Sequence, residues 1–489
     1  MVYVLTASEL TNAEFALAQS VQGILNRKDK KVYIDIDEYM KYMTESYERV
    51  GLWRLVGECA AEFEGGAVFD LDCNDVSVNM AATVSAAYDI IGVPRELVAR
   101  TEAAGIKTVC DLAEVRGTPD QRQRVVFDAV KHRLDKSALI HQVVKRGNFH
   151  LTLRDFGIKN RWACIYTDES DAGRAFRRHV LEFLDGNIPV YGWNDDEIAF
   201  IKDISDYGDY AVPTDWSCNH SYFTEGGTLK QTRVRAPLSE NKHYVALVVS
   251  DGDNVQWLER DFAAGGTFGQ RQRSPHNYKL NWTFAPSLVK LCPSAAERIY
   301  GGVKNDYFIS GVSGVGYANC LSYPRDKLDG FVAQTAEAMA RADLDVVCLL
   351  DNIELTKNDK FVVDRLSCYA KYDNIKGGVW ELDPDRYGSG RGKVFWANGK
   401  PFVSVKFTMW HPSGNPDCVT REWLDGIAAQ VNACPVAPDS IDGYTVVNVH
   451  PWTVDMDDLD YFVSKLANHV ELVYADELIE SIKNNVRTR

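Results

Sequence analysis

Residues 244–249 read Tyr-Val-Ala-Leu-Val-Val, an unbroken apolar run rich in β-branched side chains that stops at Ser250-Asp251-Gly252-Asp253-Asn254. Such a run suits a parallel strand covered on both faces, because neither face tolerates charge. Strand-like runs recur at 280–285, 307–310, 346–350, 378–382, 402–409, 444–449 and 471–474. Between several of them the apolar positions change to helical spacing. Leu328, Phe331, Val332 and Met339 form one stripe after Pro324; Leu459, Phe462, Val463 and Leu466 form another, with Thr453 or Asp455 as N-cap. The alternation predicts an α/β chain whose residues 240–489 form a (β/α) barrel of seven or eight strands. An open doubly wound sheet is the alternative. Its dinucleotide-binding version is weakened because no glycine-rich phosphate loop follows the first strand.

Residues 1–230 follow a looser grammar. Leu17, Val21, Ile24 and Leu25 make a helical stripe that runs into a strand at 31–35. Phe176, Val180, Leu181 and Leu184 make a similar one, running through Asp185-Gly186-Asn187 into a strand at 188–192. A strand at 67–71 with a helix at 78–91 supplies a middle copy. Three divergent strand–helix repeats packing into one N-terminal α/β domain is the expectation. The boundary is expected at 226–242, a polar stretch holding Gly226-Gly227 and Pro237.

In α/β folds chemistry gathers at the carboxyl ends of the strands. Here those ends carry Asp251, Asp253 and Asn254, then Trp257; Trp282; Ser310 and Ser313; Asp351 and Asn352; Glu381; Trp410 and His411; His450 and Trp452; Asp476 and Glu477. Positions two apart on a strand face one side, roughly 6–7 Å from each other, so Asp251 and Asp253 can address one water or one ion. Asp-Gly-Asp-Asn also has the composition of an Asx-Gly turn. Likewise Asp351-Asn352 reads as a turn or helix cap, His411-Pro412 as a tight turn, and Asp476-Glu477 as the capped start of the last helix.

Composition narrows the partners. A net charge of −15 over 489 residues, from 54 basic and 69 acidic side chains, argues against nucleic acid and anionic membrane. No run approaches the length of a transmembrane helix, and the first residues have neither a basic region nor a long apolar one. A cytoplasmic protein is expected, or a secreted one if a leader has been removed. The 11 cysteines include no Cys-x-x-Cys pair; Cys164 and Cys348 fall in apolar runs, as reduced, hydrophobe-like thiols do. Several of the 11 Trp residues follow strands, a placement that suits flat, partly apolar ligands such as sugar rings, although aromatics are also common in cores.

In the first half, Tyr191-Gly192-Trp193-Asn194-Asp195-Asp196-Glu197 places three acids beside a Trp after a strand. The cluster reads as a solvated acidic helix start, or as the source of a carboxylate facing the Asp pair. Glycoside hydrolysis needs such a partnership, one acid to protonate the leaving oxygen and another carboxylate to activate water or attack the anomeric carbon.

Gly311-Val312-Ser313-Gly314-Val315-Gly316-Tyr317, followed by Tyr323-Pro324, resembles the motif of the GxGYxYP family of proposed glycoside hydrolases. The stretches 250–254 and 191–197 support the resemblance, which spans both halves. It implies an N-terminal domain of three repeats, a C-terminal seven-stranded β/α barrel, and a site in the cleft between them formed by one Glu and two Asp spaced two apart. On this chain these are Glu197, Asp251 and Asp253. Five residues rather than one separate Tyr317 from Tyr323-Pro324, so the loop departs from the motif.

The leading expectation is a glycosidase acting on an oligo- or polysaccharide. Glu197 would be the acid and Asp251 or Asp253 the base, in the inverting geometry of about 6.5–9.5 Å between carboxyls. Asn254, Trp257, Trp282, Tyr317, Trp410, His411, His450 and Trp193 would bind substrate, with no metal and no cofactor. The alternative is a carbohydrate-binding protein without catalysis. A metal-dependent deacetylase or phosphoesterase, with His411 or His450 joining the Asp pair, lacks any His-x-x-His or His-Glu-x-x-His spacing.

Overall fold

The structure, a computed structural model, describes residues 1–28, 31–71, 75–144, 150–224, 226–232, 237–351, 359–383 and 385–486. The chain divides into two compact units, Met1–Glu225 and Gly226–Arg489. Both are mixed α/β with mainly parallel sheets. Among the described residues no helix is long and apolar enough to cross a membrane.

The first unit carries three small parallel sheets, one from each successive stretch of chain. Val2–Thr6 lies between Val32–Asp35 and Tyr47–Arg49; Gly65–Phe69 lies between Ile90–Pro94 and Thr108–Asp111. The third sheet runs in the order Tyr210–Val212, Pro189–Gly192, Leu139–His141, Ala163–Ile165. The helix Asn12–Arg27 starts at a capping box between Thr11 and Glu14 and is buried from Ala13 almost throughout. Its buried polar groups are therefore paired, Gln22 Nε2 donating to the Val32 carbonyl at 3.1 Å and Ser20 Oγ meeting Ser85 Oγ at 3.1 Å. The helix expected at 78–91 stops at Ala87, because the β-branched Ile90 and Ile91 open a strand instead.

In the second unit, Asp306–Ser310, Leu280–Phe284, His243–Val249, Tyr444–Val449 and Phe407–Met409 lie side by side and parallel. Val470–Leu472 pairs with the start of His243–Val249. A second sheet holds Val346–Asp351, Gly377–Leu382 and Lys400–Ser404 in parallel, with Val394–Ala397 antiparallel at its edge. The run expected as one strand at 402–409 is two. Val405 N donates to the Trp380 carbonyl and Lys406 N to the Val446 carbonyl, each at 2.9 Å, so the chain crosses there from one sheet to the other. The helices Arg325–Arg341, Arg421–Asn432 and Met456–Ser464 follow strands, the last capped by Asp455, which accepts from Asp458 N at 2.9 Å. One buried cluster draws alternate residues from both sheets, Ala246 and Val248 with Ile309, Cys348, Val379 and Val405.

Candidate active site

The carboxyl end of His243–Val249 turns sharply. Asp251 takes a left-handed backbone (φ 68°). Gly252 N then donates to Thr283 Oγ1 at 2.8 Å, and that hydroxyl donates on to the Val249 carbonyl at 2.8 Å. Asn254 N returns to the Asp251 carbonyl at 3.1 Å, and the Asn254 side chain caps the short helix Val255–Trp257 through Trp257 N at 3.4 Å. The segment is thus a backbone-closed turn that also holds two carboxylates at a strand end. Gly311 faces the second of them: a β-carbon there would fall 3.0 Å from Asp253 Cα.

Asp251 is fixed by three neighbours. Ser250 Oγ donates to its Oδ2 at 2.5 Å, Trp452 Nε1 donates to its Oδ1 at 3.0 Å, and His450 Nε2 stands 3.9 Å from Oδ2. Asp251 and Asp253 both act electrostatically on Glu381, a carboxyl only 1% exposed at the end of Gly377–Leu382. Burial first, and then those two charges, hold Glu381 well above the usual carboxylate range. Asn448 Nδ2 opposes this by donating to Glu381 Oε1 at 3.2 Å, and the Cys348 thiol leans on the same carboxyl. The thiol is itself pushed up by burial and by the surrounding carboxylates. Glu381 is therefore a carboxyl whose surroundings favour its protonated form, beside Asp251 and Asp253.

Burial also lowers His450, aided by Arg386 and opposed by Asp251. Its imidazole stacks on Trp410 with centroids 3.9 Å apart and planes within 5°, while the Arg386 guanidinium lies 4.6 Å over the same indole. A ring stacked that closely leaves the cation only the other side, so both indole faces are taken. Trp410 consequently orients His450 rather than offering an open platform. Trp452 does offer one: it is 44% exposed, its ring 4.7 Å from Trp257.

The remaining sequence-predicted residues lie elsewhere in their units. Trp282 is buried between Phe262 and Phe268. Tyr317 is buried in the 311–323 loop, which Ser313 pins by a left-handed backbone and a 2.5 Å bond from its Oγ to the Ala318 carbonyl. Asp351 anchors the same loop, accepting from Leu321 N at 2.9 Å and from Trp380 Nε1 at 3.0 Å; burial pushes its carboxyl up to about 7. Asn352 lies outside the described residues. His411 turns to Ser413 Oγ at 2.7 Å and to the Trp423 ring. Glu477 reaches back to Tyr474 N at 2.9 Å in a cap. In the first unit, Glu197 opens the helix Glu197–Tyr207, for which Asp196 is the cap, accepting from Ala199 N at 3.1 Å. The Trp193 carbonyl lies 3.1 Å from His141 Nδ1. Among the described residues no set of three or more His, Cys, Asp and Glu side chains is arranged to hold a metal ion.

Sequence reasoning passed over Asn448, Arg386 and Tyr387, and took Cys348 for a plain hydrophobe. Asn448 had a signal, an amide inside the apolar run Tyr-Thr-Val-Val-Asn-Val. Arg386 and Tyr387 had none.

Two family models match the chain. One, described as "GxGYxYP putative glycoside hydrolase C-terminal domain", covers residues 241–483; the other, "GxGYxYP third domain", covers 139–225. A solved structure described as a putative hydrolase from Bacteroides thetaiotaomicron VPI-5482 is similar over 100% of this chain and 95% of its own, with a TM-score of 0.82 at 24% identity, a likeness of fold. No curated protein sequence matches the chain.

Proposed function

Because this chain belongs to the GxGYxYP family, we propose that it is a glycoside hydrolase acting on an oligo- or polysaccharide, with Asp251 and Asp253 at the reacting centre. The observation that carries this reading is the convergence of Asp251 and Asp253 on the buried Glu381, beside an exposed Trp452. A carboxyl raised above its usual range beside two further carboxyls supplies groups that acid–base cleavage of an acetal requires.

In this reading Asp253 activates the water, and Asp251, held by Trp452 and Ser250, sets its orientation. Glu381 is too buried to reach a glycosidic oxygen. It is a positioning residue, and by keeping its proton it leaves the Asp pair to carry the negative charge. The family resemblance assigns the general acid to Glu197, and the reaction is a single displacement with inversion. We also assign the second unit a barrel. The crossing at Val405 and Lys406 supports closure, as does the 2.7 Å bond from Ser313 N to the Cys348 carbonyl, which links the two sheets on their other side.

The test is reducing-end release from a panel of oligosaccharides, read alongside calorimetric binding. Asp253→Asn and Glu197→Gln are each expected to lower turnover at least about a hundredfold while leaving binding nearly intact. A wild-type chain that binds sugar and cleaves none would establish the binding-protein alternative instead. Full activity in Glu197→Gln would remove that residue from the acid's role.

A further inference from the structure

A cavity of about 450 Å³ opens in the second unit between the loop around residues 385–391, the strand Phe407–Met409 and the helix Arg421–Asn432. Its walls carry three cations, Arg386, Arg391 and Lys406, against one carboxylate, Asp385, in a chain whose net charge is −15. Several arginines elsewhere on this chain are ion-paired: Arg95 is held by Asp70 and Asp111, and Arg174 by Asp203. Among the described residues none of the three cavity cations forms an ion pair. Arg386 Nη2 donates to the Pro412 carbonyl at 2.6 Å, Lys406 Nζ meets the Cys434 thiol at 3.5 Å and lies 5.6 Å over the Phe407 ring, and among the described residues the Arg391 guanidinium meets no partner. Gathering unpaired like charges around a cavity costs free energy that an anion would recover.

The backbone is bent to present them. Arg386 (φ 46°), Tyr387 (φ 72°) and Arg391 (φ 49°) are all left-handed, which costs about 1 kcal/mol or more apiece for non-glycine residues. Gly392 packs on the stem of Lys406, where a β-carbon would approach Cδ to 3.2 Å. Trp423 and Phe407 add flat apolar surface. Packed side chains link the cavity wall to the reacting centre, since Arg386 lies on Trp410, Trp410 on His450, and His450 beside Asp251.

We infer that this cavity is a subsite for a sugar unit bearing a carboxylate or sulfate group, so that the glycan is acidic. Guanidinium forks and an ammonium match such planar or trigonal oxyanions, and the aromatic walls take the ring. The inference rests on the glycoside-hydrolase reading for the scissile bond, and not for the binding itself. Calorimetry on the full chain, with a uronic-acid disaccharide, a sulfated disaccharide and the matching neutral disaccharide, separates the possibilities. At least one acidic probe should bind about tenfold or more tightly than the neutral one, and added salt should weaken it. Which of the two binds identifies the group. Arg391→Gln and Lys406→Met should each weaken the acidic probe about tenfold, leaving the neutral probe and the thermal midpoint unchanged. Equal binding of acidic and neutral probes, no binding of any, or variants that bind as the wild type does would overturn the subsite. A chain that binds acidic sugars this way but cleaves no glycan keeps the subsite and loses the hydrolase; one that cleaves only neutral glycans does the reverse.

Discussion

Gly252 lies against Thr283 so closely that a β-carbon on it would stand 1.7 Å from the Thr283 carbonyl oxygen. The approach puts Gly252 N on Thr283 Oγ1 and so fixes the directions in which Asp251 and Asp253 leave the strand. Gly252→Ala must push two parallel strands apart at the reacting centre, and overpacking of that kind costs about 3 kcal/mol. The variant should show a lower thermal midpoint and negligible turnover. An unchanged midpoint would mean that the turn relaxes freely and does not set the carboxylates.

Trp452 combines two functions that substitution can separate. Its exposed face is a surface for a sugar ring, and its Nε1 orients Asp251. Trp452→Phe keeps most of the face and loses the hydrogen bond, so KM should change little while kcat falls. Trp452→Ala loses both, and binding should weaken about tenfold as well. Identical kinetics in the two variants would place the sugar elsewhere.

The strands around this site were legible because a buried parallel strand leaves a strong mark, six apolar residues that stop at a cluster of acids. The sequence could not say which aromatics stay open. Trp410 and Trp452 both follow strands, yet the faces of Trp410 are closed by Arg386 and His450, which are distant in sequence and carry no pattern of their own. Trp282 sits at a strand end too, and there Phe262 and Phe268 claim it for the core. The split at Val405-Lys406 was hidden for a similar reason. A strand that changes partners keeps its alternation, and only the hydrogen bonds to Trp380 and Val446 reveal the crossing. Glu381 was visible as a strand-end acid, but its proton follows from burial and from Asp251 and Asp253, both more than a hundred residues away.

Asp351 gives the fold a pH dependence. Its carboxyl is raised from 3.8 to about 7 by burial, which outweighs the donors Leu321 N and Trp380 Nε1. Between those values the native carboxyl holds a proton that the unfolded one has lost, so the contribution of Asp351 to stability falls as pH rises from about 4 to about 7 and is level above, while buried His141, lowered to about 3, contributes in the opposite sense below about 6.5. Asp351→Asn should be less stable than the wild type at pH 5, because one buried donor loses its acceptor, and that deficit should shrink by pH 8. Urea unfolding at pH 5 and pH 8 reads this directly. A gap between wild type and Asp351→Asn that stays the same across the window would contradict it.

Glu381 should govern the alkaline side of activity. Its carboxyl lies well above the usual range, held there by burial and by Asp251 and Asp253. As pH climbs through that raised value the proton leaves, and a third negative charge appears in a buried space that already repels it. The water-activating carboxylate is then disturbed, so kcat/KM should fall. Glu381→Gln keeps the shape and the Asn448 contact at Oε1 while remaining neutral at every pH. The variant should retain most of its activity near neutrality and lose the alkaline limb, or carry it to higher pH. Glu381→Ala would instead leave a cavity and an unpaired Asn448 amide, and should cost both stability and turnover. A purely structural Glu381 would move the thermal midpoint without shifting the pH profile. An alkaline limb that persists unchanged in Glu381→Gln would therefore show that this proton takes no part in catalysis, and that the limb belongs to the general acid.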